Sequence, residues 1–417
     1  MTLFQQMGQK AKVAARVLAT AGAKKDAALL EIATALEAGV AAIVQANQLD
    51  LENAKKNGMS ESMLDRLTLN EARIQGMAQG ARQVKAQTDP VGRVLSGGVA
   101  ANGMKIECVS VPLGVIGMIY EARPNVTADA AVLCLKAGNA VILRGGKEAI
   151  ESNRKVVELM RAAVEKAGLP ADSIQLIEDT SRESAVELMG LTEYLDVLIP
   201  RGGAGLIRSV KENSRVPVIE TGVGNCHIYV DEDADLTMAR DIIFNAKTSR
   251  TSVCNAAETL LVHRKVADAF LPMAKEALDT KNVQLRVCER TLKVLGNAQN
   301  VTLAAQSDWE EEFLDYILAI KIVDSLDDAI AHIDRYSSGH SECIVTNHYG
   351  NARQFTDRVD SAAVYVNAST RFTDGGEFGL GAEIGISTQK LHARGPMGVN
   401  ELTSQKYVIT GDGQIRV

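Results

Sequence analysis

From Gly114 onward the chain alternates short apolar runs with longer amphipathic stretches, and this alternation limits the fold more than any other feature. The apolar runs have the length of strands and lie at 115–119, 140–143, 174–177, 196–199, 216–219, 227–230, 259–262, 317–322, 343–346 and 363–366. The stretches with helical spacing lie at 128–136, 148–167, 238–246, 266–278, 326–333 and 352–358. Strands separated by helices form right-handed βαβ units and mostly parallel sheets. We therefore predict an α/β protein with two such blocks, the second beginning after Cys226.

The two ends of the chain depart from this alternation. Residues 2–87 carry apolar residues at three- and four-residue spacing and are predicted to be helical throughout. Asn102-Gly103 lies between alternating segments and predicts a hairpin arm with a type I′ turn, whose two central residues both take positive φ. The tail alternates around Asp412-Gly413, which indicates a second exposed β element and an oligomer built by strand addition. A frayed tail is the alternative.

Composition excludes several classes of function. The 417 residues are 46% apolar and 23% charged, which is ordinary for a globular chain of two or three domains. The net charge is −7 with both signs interspersed, so a nucleic-acid surface is not expected. No apolar run approaches the roughly 20 residues that span a bilayer, and the N-terminus lacks a signal-peptide pattern. Six scattered cysteines without a CxxC pair favour reduced thiols in the cytoplasm over disulfides or a metal site.

Cys254 is the strongest candidate for a reactive group. It lies in a polar loop just before an apolar run, with Lys247 and Arg250 nearby in the sequence. Positive charges lower a thiol pKa toward the nucleophilic thiolate. Upstream, Glu220 begins a Gly-rich segment, and a cysteine with a carboxylate in this order suggests acyl chemistry through a thioester. The alternative is an inert loop cysteine.

Polar residues follow the first predicted strand of the α/β region, where Arg123 and Asn125 come directly after it. Ligands of open α/β sheets lie beyond the carboxyl ends of the strands. The side-chain amide of Asn125 could therefore donate a hydrogen bond to a developing oxyanion. The alternative is that Asn125 caps the helix that begins near Thr127.

Two further strands run into Gly-rich turns. Arg144 and Lys147 flank a Gly-Gly pair before one helix, and Arg201-Gly202-Gly203 precedes another. Backbone N–H groups at a helix N-terminus bind phosphate, and Arg144 and Lys147 add charge that suits a 2′-phosphate. Plain βα turns are the alternative, because the full GxGxxG fingerprint is absent.

Taken in order, these segments resemble the aldehyde dehydrogenase superfamily over nearly the whole chain. The strand before Asn125 resembles the family's strand with an oxyanion-stabilising Asn. Gly-Asn-Ala-Val-Ile-Leu before Arg144 resembles a stretch that ends in a cofactor-contacting Lys, which Arg144 replaces. Glu220-Thr-Gly-Val-Gly resembles the Glu-Leu-Gly-Gly segment, and the spacing from Glu220 to Cys254 fits the family's base and nucleophile.

Two segments carry the resemblance less completely. Glu311-Glu-Phe-Leu-Asp-Tyr resembles the family's Glu-x-Phe-Gly-Pro segment, whose Glu contacts the nicotinamide ribose, but the Gly-Pro half is missing. Arg123 stands where the family has a Trp before its Asn, and a polar Arg suits an anionic substrate. The candidates for holding a substrate phosphate or carboxylate are Arg123, Lys247, Arg250 and Arg371. Arg371 lies in a long Gly-rich segment, and the alternative interpretation of this segment is a solvated surface loop.

Longer motifs are similar to the branch of this superfamily that reduces γ-glutamyl phosphate. They are Tyr120-Glu-Ala-Arg-Pro-Asn-Val-Thr, Asn245-Ala-Lys-Thr, Ser252-Val-Cys-Asn-Ala, Ser338-Gly-His-Ser-Glu, Asn367-Ala-Ser-Thr-Arg-Phe-Thr-Asp-Gly and Leu391-His-Ala-Arg-Gly-Pro-Met-Gly. The resemblance implies NADPH as the reductant, a thioester on Cys254, and glutamate 5-semialdehyde as the product, in the second step of proline biosynthesis. The alternative is a hydrolytic NAD(P)-dependent aldehyde dehydrogenase with Glu220 as its essential base.

The resemblance also implies an arrangement of domains and partners. A Rossmann-like NADPH-binding domain is expected over 1–225, with a hairpin at 97–112 as an oligomerisation arm. A catalytic α/β domain is expected over 226–390, and a return segment with C-terminal oligomerisation strands over 391–417. A cytoplasmic homo-oligomer is implied, and glutamate 5-kinase, which makes the substrate, is a candidate partner although no motif indicates it.

Overall fold

The computed structural model describes residues 1–296 and 298–416, and these residues form two compact units. Unit 1 comprises Met1–Thr221, Gly379–Gly385 and Met397–Val417. Unit 2 comprises Gly222–Phe378 and Ile386–Pro396.

Helices and strands alternate as the sequence predicts. In the described part of the chain, helices α1 to α14 are Leu3–Leu18, Ala23–Ala38, Val40–Lys56, Glu61–Leu67, Glu71–Ala86, Pro124–Lys136, Ile150–Lys166, Arg182–Met189, Ala204–Asn213, Leu236–Thr248, Arg264–Asp279, Glu289–Leu295, Leu326–Tyr336 and Tyr349–Arg358. Strands β1 to β16 are Val94–Val99, Lys105–Pro112, Val115–Tyr120, Ala140–Arg144, Ile174–Leu176, Val197–Arg201, Cys226–Val230, Ala257–His263, Gln284–Val287, Val301–Leu303, Ile317–Val323, Ser341–Val345, Ala363–Val366, Ile386–Ser387, Gly395–Pro396 and Thr403–Thr410.

The N-terminal part of unit 1 is helical from α1 to α5, which confirms the prediction for residues 2–87. Helix α1 begins with a capping box, in which the Thr2 side chain accepts from the Gln5 N–H and the Gln5 side chain accepts from the Thr2 N–H. The Asn70 side chain caps α5. The spacing of apolar residues buries one face of each long helix, so that Leu18 and Ile32 are fully buried.

The central sheet of unit 1 is parallel, with strands in the order β5-β4-β3-β6. Every residue of β3 is buried, as expected for a parallel strand covered on both faces. The chain runs outward from β3 through β4 to β5 and then returns to β6 on the other side of β3. The strand order therefore reverses between β3 and β6, and their carboxyl ends lie side by side.

The prediction of a strand at 216–219 is wrong. These residues form a single bridge, between Leu198 and Val218, with hydrogen bonds from the Leu198 N–H to the Pro217 carbonyl and from the Ile219 N–H to the Leu198 carbonyl. Pro217 has no N–H with which to extend the ladder, so the pairing ends there.

The predicted hairpin is present, but its turn differs from the prediction. Strands β1 and β2 pair antiparallel, and β16 pairs with β2 on its other side. Gly103 has a φ of 87°, whereas Asn102 has a negative φ, so the turn is not type I′. The Gly103 N–H bonds the Ala100 carbonyl, and the Ala100 N–H bonds the Met104 carbonyl, so the loop is longer than a two-residue turn.

Unit 2 is built on a seven-stranded parallel sheet in the order β10-β9-β11-β8-β7-β12-β13. Alternate residues of β7 and β8 point to opposite faces, each covered by its own apolar cluster. Phe270 lies in one cluster and Phe355 in the other. Strands β9 and β10 and helix α12 were not predicted, because each is too short to show a clear period.

The two units follow the predicted division only partly. The first boundary lies after Thr221, close to the boundary predicted at 225, but Gly379–Gly385 belongs to unit 1 and Ile386–Pro396 to unit 2. The functions expected for these domains stay predictions.

No described helix is by itself long and apolar enough to cross a bilayer, although α2 and α3 meet that test when taken together across a 68° bend. Among the same residues, no group of three or more His, Cys, Asp or Glu side chains is placed to hold a metal ion.

A buried histidine in unit 2 couples stability to pH. Burial, with His227, Lys321 and Arg335 nearby, lowers the pKa of His332 from 6.5 to about 2, and the Lys321 ammonium lies 3.1 Å from its Nδ1. His332 therefore stays neutral in the folded chain but takes up a proton in the unfolded chain below pH 6.5. The stability that depends on neutral His332 is complete above pH 6.5 and is lost as the pH falls.

We expect His332→Gln to make the free energy of unfolding less dependent on pH. Because the variant lacks the titrating ring, it should lose about 2 kcal/mol less than the native chain between pH 8 and pH 5. Urea unfolding at a series of pH values measures this difference. Equal losses in the two proteins would contradict the account.

Candidate functional site

Unit 1 contributes polar groups at the carboxyl ends of β3 and β6, where the strand order reverses. Residues 121–125 follow β3, and Gly202 and Gly203 follow β6 and lead into α9. This position is where open α/β sheets bind their ligands. The sequence predicted Asn125, Gly202 and Gly203 as functional, and the structure places all three at this edge.

A carboxylate lies at the N-terminus of α9. Oε2 of Glu121 accepts a hydrogen bond of 2.9 Å from the Gly203 N–H. Gly202 does not have positive φ, but a Cβ there would lie 2.6 Å from Cδ of Glu121, so this glycine leaves room for an anion. The N–H of the Gly202-Gly203 turn thus binds the chain's own carboxylate, and phosphate binding by this turn stays a prediction. Glu121 is not among the site residues that we predicted from the sequence.

The side chain of Asn125 does not cap its helix. The N-cap of α6 is Arg123, with Pro124 at the first helical position, and no side chain makes a cap hydrogen bond. The Asn125 amide instead donates a bond of 3.0 Å to the Asp129 carboxylate, one turn farther along α6. The capping alternative is therefore wrong, and the Asn125 side chain is exposed at the sheet edge.

Arg144 and Lys147 lie at the next strand end of the same sheet. The Arg144 guanidinium donates to the carbonyl oxygens of Thr180 (2.7 Å) and Ser181 (2.6 Å), and burial lowers its pKa. In this structure Arg144 therefore ties the loop after β5 to β4. Lys147 is exposed in a short 3-10 turn before α7.

Glu220 and Arg201 form ion pairs within unit 1. Glu220 pairs with Lys211 of α9 at 3.0 Å, and Arg201 lies 3.9 Å from Glu383. The Lys211 contact draws the Glu220 carboxylate toward α9.

In unit 2, Cys254 lies in the turn between α10 and β8 and is partly exposed. Two contacts fix its backbone. The fully buried Cys226 thiol donates to the Cys254 carbonyl at 3.2 Å. Gly224 approaches so closely that a Cβ there would lie 2.5 Å from the Cys254 Cα and would overlap its carbonyl group. Gly224 is held in turn by Oε1 of Glu312, which accepts from its N–H at 2.8 Å.

Two arginines give the surroundings of Cys254 positive charge. The Arg371 guanidinium contacts Oδ1 of Asn255 and donates to the Ser249 hydroxyl at 3.1 Å. Burial lowers the pKa of Arg371, and the nearby Arg250 lowers it further, whereas Asp374 and Cys254 raise it. Arg371 and Arg250 thus lie near one another, and Asp374 offsets part of their positive charge.

Lys247 is placed differently from the prediction. It is fully buried, and its ammonium pairs with the equally buried Glu258 at 2.5 Å. Burial lowers the pKa of Lys247, opposed by the Glu258 charge. Lys247 therefore anchors the end of α10 to β8 and does not face a substrate.

Glu311 is exposed in the loop before β11. Its neighbour Glu312 is the residue that reaches Gly224. The assignment of Glu311 to cofactor binding stays a prediction.

The chain belongs to the aldehyde dehydrogenase family, whose sequence model matches residues 4–291. A crystal structure of an acetylating aldehyde dehydrogenase from Geobacillus thermoglucosidasius has the same fold, with a TM-score of 0.73 and 18% identity. The match covers 99% of this chain and 97% of the other chain.

More similar proteins are γ-glutamyl phosphate reductases. The protein from Clostridium perfringens (strain 13 / Type A) is 58% identical over 410 residues, which is 98% of each chain. The protein from Moorella thermoacetica is 60% identical over 413 residues, 99% of this chain and 98% of its own. The crystal structure of the γ-glutamyl phosphate reductase from Thermotoga maritima has a TM-score of 0.95 at 48% identity, and each chain is covered completely.

We expect Gly224→Ala to displace Cys254 and to slow the reaction of its thiol, because the added methyl group would overlap the Cys254 backbone. The rate of alkylation by iodoacetamide at Cys254, followed by peptide mass spectrometry, should fall at least about 10-fold, as the misplacement of a reactive group by about 1 Å already costs up to about 100-fold in rate.

Gly76→Ala is the matched control. It lies in α5 with nothing within 4 Å of an added Cβ, so the same change should leave Cys254 alkylation unaltered. Native alkylation of Gly224→Ala would show that the close approach does not position the nucleophile.

Proposed function

We propose that this chain reduces L-γ-glutamyl 5-phosphate to L-glutamate 5-semialdehyde and phosphate with NADPH, the second step of proline biosynthesis. The observation that carries the proposal is the similarity of 58% and 60% over nearly the whole chain to γ-glutamyl phosphate reductases. The positive surroundings of Cys254 support it, because the substrate is an acyl phosphate with a dianionic leaving group.

Cys254 acts as the nucleophile in the proposed first step. Its thiolate attacks the acyl carbon, and the bond to phosphate breaks, so that a thioester forms and the phosphate leaves as an anion. Asn125 and the Cys254 backbone N–H are the proposed donors to the oxyanion. Arg371 and Arg250 are the proposed partners of the phosphate, since a guanidinium binds phosphate through paired hydrogen bonds. Arg123 is the proposed partner of the substrate carboxylate.

The cofactor supplies a hydride to the thioester carbonyl when it is bound. Cys254 then leaves as a thiolate and the aldehyde is released. The Gly202-Gly203 turn fits a diphosphate, because it already holds the carboxylate of Glu121. Glu121 would have to leave this turn for the phosphate to enter. Lys147 is exposed and suits a 2′-phosphate; Arg144, Arg201 and Glu311 remain further proposed contacts.

Glu220 distinguishes reduction from hydrolysis. In a hydrolytic enzyme this carboxylate would activate water against the thioester, whereas a reductase must keep water away. The ion pair with Lys211 holds the Glu220 carboxylate against α9. We propose that Glu220 assists deprotonation of the thiol or moves aside, and that it does not activate water.

The three-stranded sheet of β1, β2 and β16 is the proposed oligomerisation element. Val99 and Ile409 are more than half exposed on its outer strands, whose free edges can accept another strand. A homo-oligomer in the cytoplasm is part of the proposal, and glutamate 5-kinase is a candidate partner.

The reverse reaction tests the proposed function. With glutamate 5-semialdehyde and NADP⁺, we expect reduction of NADP⁺ to depend on inorganic phosphate, because phosphate is the acceptor that cleaves the thioester. Absorbance of the reduced cofactor measures the rate, and NAD⁺ in its place measures the cofactor preference. Equal rates without phosphate would mean that water takes the acyl group, in favour of the hydrolytic alternative with Glu220 as its base.

Cys254→Ala should abolish turnover and leave the fold unchanged, as judged by circular dichroism. Cys343→Ala, which alters a buried thiol of β12, is the matched control and should keep most of the native rate. A native rate for Cys254→Ala would show that Cys254 is not the nucleophile.

A further inference from the structure

Asp129 is the partner that the structure gives to Asn125, and the sequence offered no signal for it. The Asn125 Nδ2 donates to Oδ2 of Asp129 at 3.0 Å, and both side chains project from the first two turns of α6. The bond lies within unit 1 and within one helix, so α6 itself sets its geometry.

The bond decides which end of the Asn125 amide is presented. The terminal torsion of Asn is broad and nearly two-fold, so the amide can present either its N–H₂ or its carbonyl oxygen. A carboxylate accepts hydrogen bonds but cannot donate them, and it therefore takes one N–H of Asn125. The second N–H remains available on the same nitrogen. With the amide reversed, the carbonyl oxygen would face a developing oxyanion and repel it.

We infer that Asp129 is a positioning residue for the proposed reaction: its carboxylate keeps the Asn125 amide in the orientation that offers an N–H to the oxyanion. This inference rests on the proposed function, in which Asn125 is the donor. Asp129 itself touches neither substrate nor cofactor and acts through Asn125.

The electrostatic surroundings of Asp129 agree with such a role. Burial raises the pKa of Asp129 to about 7; the Asn125 bond and Arg201 lower it, and Glu383 raises it. A carboxylate stabilises the folded state when its pKa lies below the usual range, whereas the raised pKa of Asp129 means that its ionised form destabilises the folded state. Above pH 7 the ionised Asp129 carboxylate can only accept, so it selects one orientation of the Asn125 amide. Below pH 7 the neutral Asp129 carboxyl can also donate, so either orientation of the amide is compatible with it.

Kinetics of the reverse reaction with phosphate test the inference through four variants. Asn125→Ala should lower kcat about 100- to 1000-fold, as for the loss of one oxyanion donor. Asp129→Ala should lower kcat about 10- to 100-fold with KM changed little, because orientation but not binding is lost. Asp129→Asn should restore part of the loss, since its oxygen still accepts. In the double variant Asn125→Ala/Asp129→Ala, kcat should equal that of Asn125→Ala.

Two further readouts separate positioning from a structural role. Asp129→Asn should keep or raise the Tm, because it removes a half-buried carboxylate whose ionised form is disfavoured. The ratio of the native kcat to the Asp129→Asn kcat should fall as the pH is lowered from 8 to 6, because neutral Asp129 no longer selects one orientation. A Tm that drops in step with activity would assign Asp129 to folding and overturn the inference.

The remaining outcomes are equally decisive. A further loss when Asp129→Ala is added to Asn125→Ala, or a loss confined to KM, would show that Asp129 acts without Asn125. A native kcat for Asn125→Ala would overturn the donor role and this inference with it. In that case, phosphate-dependent reduction of NADP⁺ by the same variant would still support the proposed reaction, so the two failures can be told apart.

Discussion

The packing of Gly224 against the backbone of Cys254 is the interaction on which the candidate site depends. No other residue type fits at position 224, because the first atom of any side chain would overlap the Cys254 carbonyl group. The Cys226 thiol binds the Cys254 carbonyl, and the Glu312 carboxylate binds the Gly224 N–H. The Lys247–Glu258 ion pair anchors the end of α10, which precedes Cys254 in the chain. Cys254, the proposed nucleophile, is thus positioned through its main chain and not through its thiol.

Two carboxylates lie at the edge of unit 1 that the proposed reaction uses. Glu121 occupies a helix N-terminus that suits a phosphate, and Asp129 is held at a raised pKa beside Asn125. Burial disfavours the ionised form of Asp129, whereas the N-terminus of α9 favours the exposed carboxylate of Glu121, for which Gly202 leaves room. Both carboxylates lie beside groups that the proposed reaction uses, and the raised pKa of Asp129 is typical of such a place.

The sequence predicted the elements whose pattern is local and missed the features that need three dimensions. The long helices and the buried parallel strands follow from their periods, and Asn125, Cys254 and the Gly202-Gly203 turn follow from their places beside strands. Lys247 has the same local signal as Arg250, yet it is buried, because its partner Glu258 lies on a strand that sequence spacing cannot align with it. Glu121 and Gly224 lie inside motifs and Asp129 beside one, but no motif indicates the contacts that these three residues make. The turn at Asn102-Gly103 shows that a dipeptide signal fixes the hairpin but not the loop type.

The proposed reaction requires Cys254 to carry the acyl group between phosphate and hydride. Intact and peptide mass spectrometry of the enzyme mixed with glutamate 5-semialdehyde and NADP⁺, without phosphate, tests it directly. We expect a glutamyl adduct on the peptide that contains Cys254, persistent in buffer and released when inorganic phosphate is added. An adduct on another residue, no adduct at all, or loss of the adduct to water alone would contradict it.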